Sequence, residues 1–433
     1  MEWLGDVPEL WEVRPIKRIV AVPITDGPHE TPQFIDEGIP FVSAEAVSSG
    51  RIDFSKVRAF ISAEDNARYS LKYSPKLHDI YMVKSGATTG ITAIVEDRTD
   101  FNIWSPLAVI RCGRAASPHF VLNFMRSRNF LEAVTLNWSF GTQQNIGMGV
   151  IENLFCTLPP LAEQTHIAGF LHRETAKIDG LVSEQRRLME LLKEKRQAVI
   201  SHAITQGLNP HAPMKPSGIE WLDDVPDHWE VKPMRMIANV VRGASPRPAG
   251  DPRYFGGDAV PWVTIAEITK DDAAYLTETE SFLTQEGATH SNLFRSGTLI
   301  YSNSGATLGV PKILRIDACA NDGVVAFLNL NSQVQAEFLY HYLASITNSI
   351  REKVKQGSGQ PNLNTDIVKD LRFGLPPLKE QEVIVRRIVK LVEQFDTLTT
   401  EARRAIDLLK ERRTALISAA VTGQIDVRDA VAA

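Results

Sequence analysis

LPPLAEQ at residues 158–164 and LPPLKEQ at 375–381 are near-copies, and each opens a long stretch that holds no further proline. The first continues through IAGFLHRETAKIDGLVSEQRRLMELLKEKRQAVISHAIT to about Thr205, the second through IVRRIVKLVEQFDTLTTEARRAIDLLKERRTALISAAVT to about Thr422. Proline is tolerated only at a helix start, so the tandem Pro159-Pro160 and Pro376-Pro377 mark where two helices begin. Apolar residues then return at three- and four-residue spacing. Leu171, Ile178, Leu181, Leu188, Leu192 and Val199 fall on heptad a and d positions of the first copy, with Gln185 and Lys195 as polar interruptions. Ile388, Leu391, Phe395, Leu398, Ala402, Ala405, Leu409 and Leu416 fall in the same frame of the second. So narrow a seam wants a partner helix, and each copy is the obvious partner for the other. Roughly 45 residues at about 1.5 Å each make a rod of about 65–70 Å. A helix hairpin inside one globular core would need much shorter helices, of about 8–20 residues.

The repeat extends beyond the helices. EWLGDVPELWEV (2–13) recurs as EWLDDVPDHWEV (220–231), IPFVSAE (39–45) as VPWVTIAE (260–267), SGATTG (85–90) as SGATLG (304–309), and GTQQNIG (141–147) as GSGQPNLN (357–364). The order is the same in both halves, at a period near 217 residues. This is a tandem duplication of a globular domain followed by a long helix. The expected fold is α+β: two similar mixed α/β domains joined by two long antiparallel coiled-coil helices, with pseudo-twofold symmetry. The boundaries run 1–157 for the first domain, 158–212 for the central helix and linker, 213–374 for the second domain, and 375–433 for the C-terminal helix and tail. Strands are expected at 80–83, 91–95, 107–111, 299–301 and 324–328, and one amphipathic helix late in each domain, at 120–134 and 336–354. Between matched motifs the halves differ: residues 50–74 have little in common with 269–293.

A chain of 433 residues with 43% hydrophobic content holds more than one domain with a sizeable core. Its N-terminus shows no signal-peptide pattern, and no apolar stretch approaches the length of a membrane span. Three cysteines, Cys112, Cys156 and Cys319, lie far apart without CxxC spacing, which speaks for a reducing cytoplasm rather than disulfides or zinc. The net charge of −5 counts against a free-standing nucleic-acid binder.

Catalytic patterns are missing. There is no GxxxxGK[ST] loop, no GxGxxG after a strand, no HExxH and no GxSxG elbow. The SGATTG and SGATLG loops are the most specific local signal. Lys84, Ser85, Gly86, Thr88 and Thr89, and in the second copy Ser304, Gly305 and Thr307, offer backbone N–H groups and hydroxyls that suit phosphate oxygens. A tight turn that needs glycine explains the same residues equally well. Gln143, Gln144 and Asn145, and Gln360 and Asn362, carry amides that can read an adenine edge, although turn formation before a helix would also use them. Trp3, Trp11, Trp221 and Trp229 read as core packing. Basic residues occur in both domains (Arg51, Lys56, Arg58, Arg68, Lys72 and Lys84; Arg235, Arg242, Arg247, Arg253 and Lys270), and RGASPRP at 242–248 reads as an exposed basic loop presenting Arg242 and Arg247. Each domain is slightly acidic in total, so a nucleic-acid surface must be local or shared with a more basic partner.

Two units, each with a WL…VP..WE opening, an SGAT.G loop and an LPPL.EQ helix, resemble the DNA-specificity subunit of type I restriction–modification enzymes over essentially the whole chain. The resemblance implies that each globular domain is a target-recognition domain reading one half of a bipartite, asymmetric site in double-stranded DNA. It implies that the helices set the gap between half-sites and dock two adenine-methyltransferase (modification) subunits, which restriction/translocase subunits join. It further implies that this chain is non-catalytic and binds no cofactor or metal, with S-adenosylmethionine, and ATP and Mg where a restriction subunit is present, on the partners. The second helix ends in VTGQIDVR and the first in ITQGLNPHAP, an imperfect match. The alternatives are a two-domain helical scaffold that binds protein partners and no DNA, or an enzyme with the duplicated domain as its catalytic unit, which the missing motifs disfavour.

Overall fold

The computed structural model describes residues 3–97, 99–140, 144–219, 222–305, 307–353 and 363–428. The central helix spans Leu161–Gln206, 46 residues, and the C-terminal helix spans Leu378–Val421, 44 residues. Each starts one residue after its tandem prolines. The chain forms two compact units, one of Met1–Arg187 with Ala402–Ala433 and one of Leu188–Glu401. Each unit therefore holds a globular domain, the first part of the helix that follows it, and the far part of the other long helix.

The LPPL.EQ motif is explained by its glutamine. Gln164 and Gln381, in the first turns of the two helices, are fully buried. Gln164 donates from Nε2 to the carbonyls of Pro159 (2.8 Å) and Ala115 (3.0 Å) and accepts at Oε1 from the backbone N–H of Ser117 (2.7 Å). Gln381 repeats the three bonds, donating to Pro376 (2.8 Å) and Gln333 (2.8 Å) and accepting from Gln335 N–H (2.9 Å). A side-chain amide has two donors and an acceptor, and here each finds a backbone partner, so the helix start is bonded to the loop that opens the last helical region of its own domain. The strand before the prolines is bonded as well. Phe155–Leu158 runs antiparallel to Glu12–Pro15, and Arg372–Leu375 to Glu230–Pro233, which joins the WEV motif to the LPP motif in both copies.

Behind these joints lie mostly antiparallel sheets, with one parallel pair in the first domain and two in the second among the described residues. In the first domain Thr25–Asp26, Leu107–Ile110, Ile80–Val83 and Thr92–Ile94 form one four-stranded sheet, and Phe60–Ile61, Ile39–Val42 and Asn102–Ile103 a three-stranded one. The second domain has the five strands Asn239–Arg242, Val324–Leu328, Leu299–Ser302, Pro311–Leu314 and Tyr275–Leu276, and beside them a four-stranded sheet around Phe255–Val263. Leu107–Ile110 and Ile80–Val83 are buried along their whole length, which accounts for their unbroken apolar sequence. The late helix of the first domain is two helices, Pro118–Met125 and Arg128–Asn137, where one at 120–134 was expected. Ser127 ends the one by donating to the Phe124 carbonyl and caps the next by accepting from Phe130 N–H. Its counterpart, Ala336–Lys353, is continuous.

Trp11 and Trp229 pack edge-on against Phe120 and Phe338 in the domain cores. Both also touch the far end of a long helix. A side chain at Gly423 would strike Pro8 and approach Trp11, and one at Gly207 would approach Trp229. Both glycines have positive φ, 77° in each case. The ends that differ in sequence, ITQGL and VTGQI, thus each reach a positive-φ glycine beside the equivalent tryptophan of their own unit.

The heptad seam differs from the expected one by a residue in places. Buried and half-buried residues of the central helix run Ala168, Leu171, Thr175, Ile178, Val182, Gln185, Met189, Leu192, Arg196 and Val199, and of the C-terminal helix Ile388, Leu391, Val392, Phe395, Thr399, Ala402, Ala405, Leu409 and Leu416. Leu181, Leu188 and Leu398, expected on the seam, lie one position off it and are 53%, 43% and 51% exposed. Strict three-four spacing passes through Val182, Met189 and Thr399 instead, and a leucine is not enough to move it. In the first unit Asp179 accepts from Arg413 (2.9 Å), and in the second Arg196 pairs with Asp396 (3.1 Å). Within the second unit, advancing from Arg196 to Ala203 and Ile204 retreats from Asp396 to Ile388 and Ile384 in the shared core, so there the helices are antiparallel.

Replacing Gln164 or Gln381 by Leu keeps volume but leaves one N–H and two carbonyls unbonded, at about 1–3 kcal/mol for each buried group. Thermal unfolding of either variant should begin several degrees below that of the parent chain; an unchanged transition would show that the clamp contributes nothing.

Candidate nucleic-acid interface

The SGATTG loop and the Gln144-Asn145 segment come together. Ser85 forms an antiparallel bridge with Asn145, and Gly86 N–H donates to the Gln144 carbonyl at 3.0 Å. Lys84 accepts from Ile146 N–H at 2.8 Å. The expected free donors are spent inside the turn, however. Thr89 donates from both its N–H (3.1 Å) and its hydroxyl (2.7 Å) to the Gly86 carbonyl, and Gly90 N–H donates to Val83. Gly86 and Gly90 have φ of 95° and 94°, so they are glycine because the turn requires it. That turn corrects the reading of Gly86 and Thr89 as phosphate donors. Ser85 and Thr88 are half-buried, and Asn145 is exposed beside them.

SGATLG makes the same turn. Gly309 N–H donates to Ser302, Leu308 N–H to Gly305, and Leu363 N–H to Asn303, with Gly305 and Gly309 at positive φ. Thr307 is exposed, Ser304 half-buried. Gln143, Gln360 and Asn362 lie outside the described residues, as does Trp221.

Charge is organised at the end of the first strand of each main sheet. In the first domain this is Asp26, 0% exposed, whose carboxylate receives Lys72 Nζ at 2.6 Å, Lys84 Nζ at 3.1 Å and His29 Nε2 at 3.0 Å. Burial pushes its carboxyl up, but the hydrogen bonds and charges of Lys72 and Lys84 outweigh this and hold it below the usual carboxylate range. Lys84 is therefore a paired, 14% exposed side chain rather than a free cation at the SGATTG loop, a correction to its expected role. In the second domain the strand ends on Arg242, which is exposed and donates from Nε to the Asp322 carbonyl. Arg247, 70% exposed, pairs with Asp322 Oδ2 at 3.3 Å, and Ser245 donates to Oδ1 at 2.8 Å. That hydroxyl, against burial, and the two arginines hold the Asp322 carboxyl down. The other basic residues are mostly neutralised in place: Arg58 by Glu45, Arg68 by Glu30 and Asp65, Lys56 by Asp53, Arg253 by Asp251, Lys270 by Glu280 and Arg235 by Asp370. Among the described residues no group of three or more His, Cys, Asp or Glu could hold a metal ion, and no helix is long and apolar enough to cross a membrane.

Residues 226–407 match the family model described as the type I restriction modification DNA specificity domain. The EcoKI specificity subunit of Escherichia coli K12 is 22% identical over 443 residues, spanning 97% of this chain and 90% of that one. The chain is thus similar to type I specificity subunits, by the family model over its second half and by relatives of low identity over nearly its whole length. Solved structures related to this family share the fold. The HsdS subunit from Thermoanaerobacter tengcongensis superposes with a TM-score of 0.56 at 18% identity, over 97% of this chain and 98% of that one. A chain from a study of complex assembly and conformational transition in the type I R-M system gives 0.67 at 18% identity, over 97% and 100%.

Sequence reasoning missed Asp26 and Asp322 because a single acid carries no motif; the signal was the glycine after each strand end, Gly27 and Gly243, where a side chain would overlap the backbone of Ile103 or Asn321. Since Asp26 is more acidic folded than unfolded, the unfolded chain binds its proton first, and the stabilisation present above pH ~4 is lost as pH falls through the folded value. Asp26→Asn should melt below the parent at pH 7, and the difference should shrink in acid below about pH 4. A pH-independent difference would contradict the ion-paired carboxylate.

Proposed function

We propose that this chain is the sequence-specific DNA-recognition subunit of a type I restriction–modification complex, with one globular domain for each half of a bipartite, asymmetric site. One observation carries the reading. The two domains keep the same frame, down to the three bonds of Gln164 and Gln381, while polar side chains differ at equivalent places: the buried Asp26 stands where the second domain has the exposed Arg242, and the half-buried Lys84 where it has the buried Asn303. A frame retained with altered polar surfaces suits two readers of different sequences. A scaffold that bound only protein would not need the two domain surfaces to differ in this way.

On this reading the chain supplies no chemistry. Two adenine-methyltransferase subunits bring S-adenosylmethionine, and restriction/translocase subunits, where present, bring ATP and Mg. Leucines off the helix seam give those partners apolar footholds. The first unit exposes Leu181 and Leu408, the second Leu188, Leu191 and Leu398. The partners would also share the DNA surface, which reconciles a net charge of −5 with a polyanionic ligand.

Exchanging residues 1–157 for the domain of another family member should change one half of the methylated motif and leave the other half and the gap as they were. Methylome sequencing of cells carrying the chimaera reads this directly, and a change in both halves, or in neither, would contradict one domain per half-site.

The helices are read as the element that sets the gap. Ala203 and Ile204 are buried in the core of the second unit, so adding residues at that end would disturb the domain. One heptad inserted in each helix, after Arg187 and after Arg404, keeps the three-four seam in register and adds about 10 Å. The methylated motif should then show a gap longer by about three base pairs between unchanged half-sites. An unaltered gap at full methylation would separate the helices from the measurement of DNA.

A further inference from the structure

We propose that the end of the first main-sheet strand is, in both domains, a carboxylate-anchored phosphate contact: Lys72 with His29 around Asp26 in the first, Arg242 and Arg247 around Asp322 in the second. The inference rests on the DNA-recognition reading and assigns to these residues the sugar–phosphate backbone rather than the bases.

The two places are equivalent in the fold. Asp26 lies opposite Ala108 and Arg242 opposite Val325, each on the neighbouring strand of its sheet and each the last residue of its strand. A glycine follows in both, forced by the backbone that crosses it at Ile103 or Asn321. The chain just past a short helix closes the corner: Lys72 Nζ donates to the Gly27 carbonyl at 2.9 Å, and Ser291 Oγ to the Ala244 carbonyl at 2.6 Å. Into this one corner the domains put the same device with the charges exchanged. The acid sits on the strand end in the first domain; in the second the strand end carries the base Arg242, and the acid Asp322 lies in the crossing loop between Ala318–Ala320 and Val324–Leu328.

Lys84, enclosed beside Asp26, already pairs with the buried carboxylate, and Lys72 and Lys84 together outweigh the cost of its burial. What the second, exposed cation adds is position. Lys72 has three N–H donors, two of them engaged by Asp26 and Gly27, and with 45% of its side chain exposed the third is held toward solvent. Arg247 is held by Asp322 through one edge of a guanidinium with five donors. Cations fixed at a rim, beside the SGATTG turn whose Gly86, Thr89 and Gly90 N–H groups are bonded within the protein, suit phosphate oxygens, which accept from any side and carry no sequence information.

The test uses the full chain assembled with its modification subunits and a duplex carrying the site mapped by methylome sequencing. Affinity is measured from 0.05 to 0.3 M salt. Lys72→Gln and Arg247→Gln should each flatten the slope of log K against log salt by about 0.9 and weaken binding about fivefold at 0.15 M, with the methylated sequence unchanged. Lys72→Arg should retain the slope. Asp26→Asn should weaken binding although it adds net positive charge, because the ammonium is no longer aimed. Unchanged slopes for both Gln variants overturn the inference. So does weaker binding at an unchanged slope, which is damage to the fold rather than loss of a phosphate, and so does altered sequence preference, which would make these side chains base readers. A change at one corner alone overturns the equivalence. Failure of the parent complex to bind any duplex specifically would instead overturn the DNA-recognition reading itself.

Discussion

Everything long in this protein hangs from a buried amide. A helix of more than forty residues held to a domain only by apolar contact could rotate or slide, since such contact has no direction. Gln164 and Gln381 remove that freedom with three directed hydrogen bonds each, made in the first helical turn and inside the core. The prolines before them deny the helix any earlier start, and the strand before the prolines is bonded to the WEV strand. Domain and helix therefore behave as one piece at the joint.

The far helix ends obey a looser rule. They are seated by burial of Ala203 and Ile204 in one unit and of Ile417, Ala420 and Val421 in the other, and are turned off by a positive-φ glycine against a tryptophan. Apolar burial tolerates change in sequence where volume is kept. ITQGL can therefore serve where VTGQI serves, and a mismatch by letter is a match by geometry.

The same contrast holds on the domain surfaces. The turns at 85–90 and 304–309 keep their glycines because φ requires them, whereas the charged corner keeps only its place and its net character. Position there is set by the backbone crossing at Gly27 and Gly243, and any arrangement of one acid with its bases can fill it. Repetition of the frame with its charges rearranged is what the proposed reading of two unlike half-sites calls for.

The sequence by itself determined the duplication, the helix starts, the antiparallel partnership and most of the strands, because prolines, heptad spacing and unbroken apolar runs are local signals. It also carried the resemblance to type I specificity subunits, through motifs that recur in order. Tertiary structure decided the rest. Leu181, Leu188 and Leu398 were assigned to the seam on hydrophobicity, and only the partner helix shows that Val182, Met189 and Thr399 hold those places. Ser127 divided an expected helix through a cap whose partners lie in the fold. Lys84 read as a free cation until a residue 58 positions earlier, Asp26, was found beneath it. Such pairings join residues far apart in the chain, and no spacing rule announces them, because the backbone crossings that bring them together exist only once the sheets have formed.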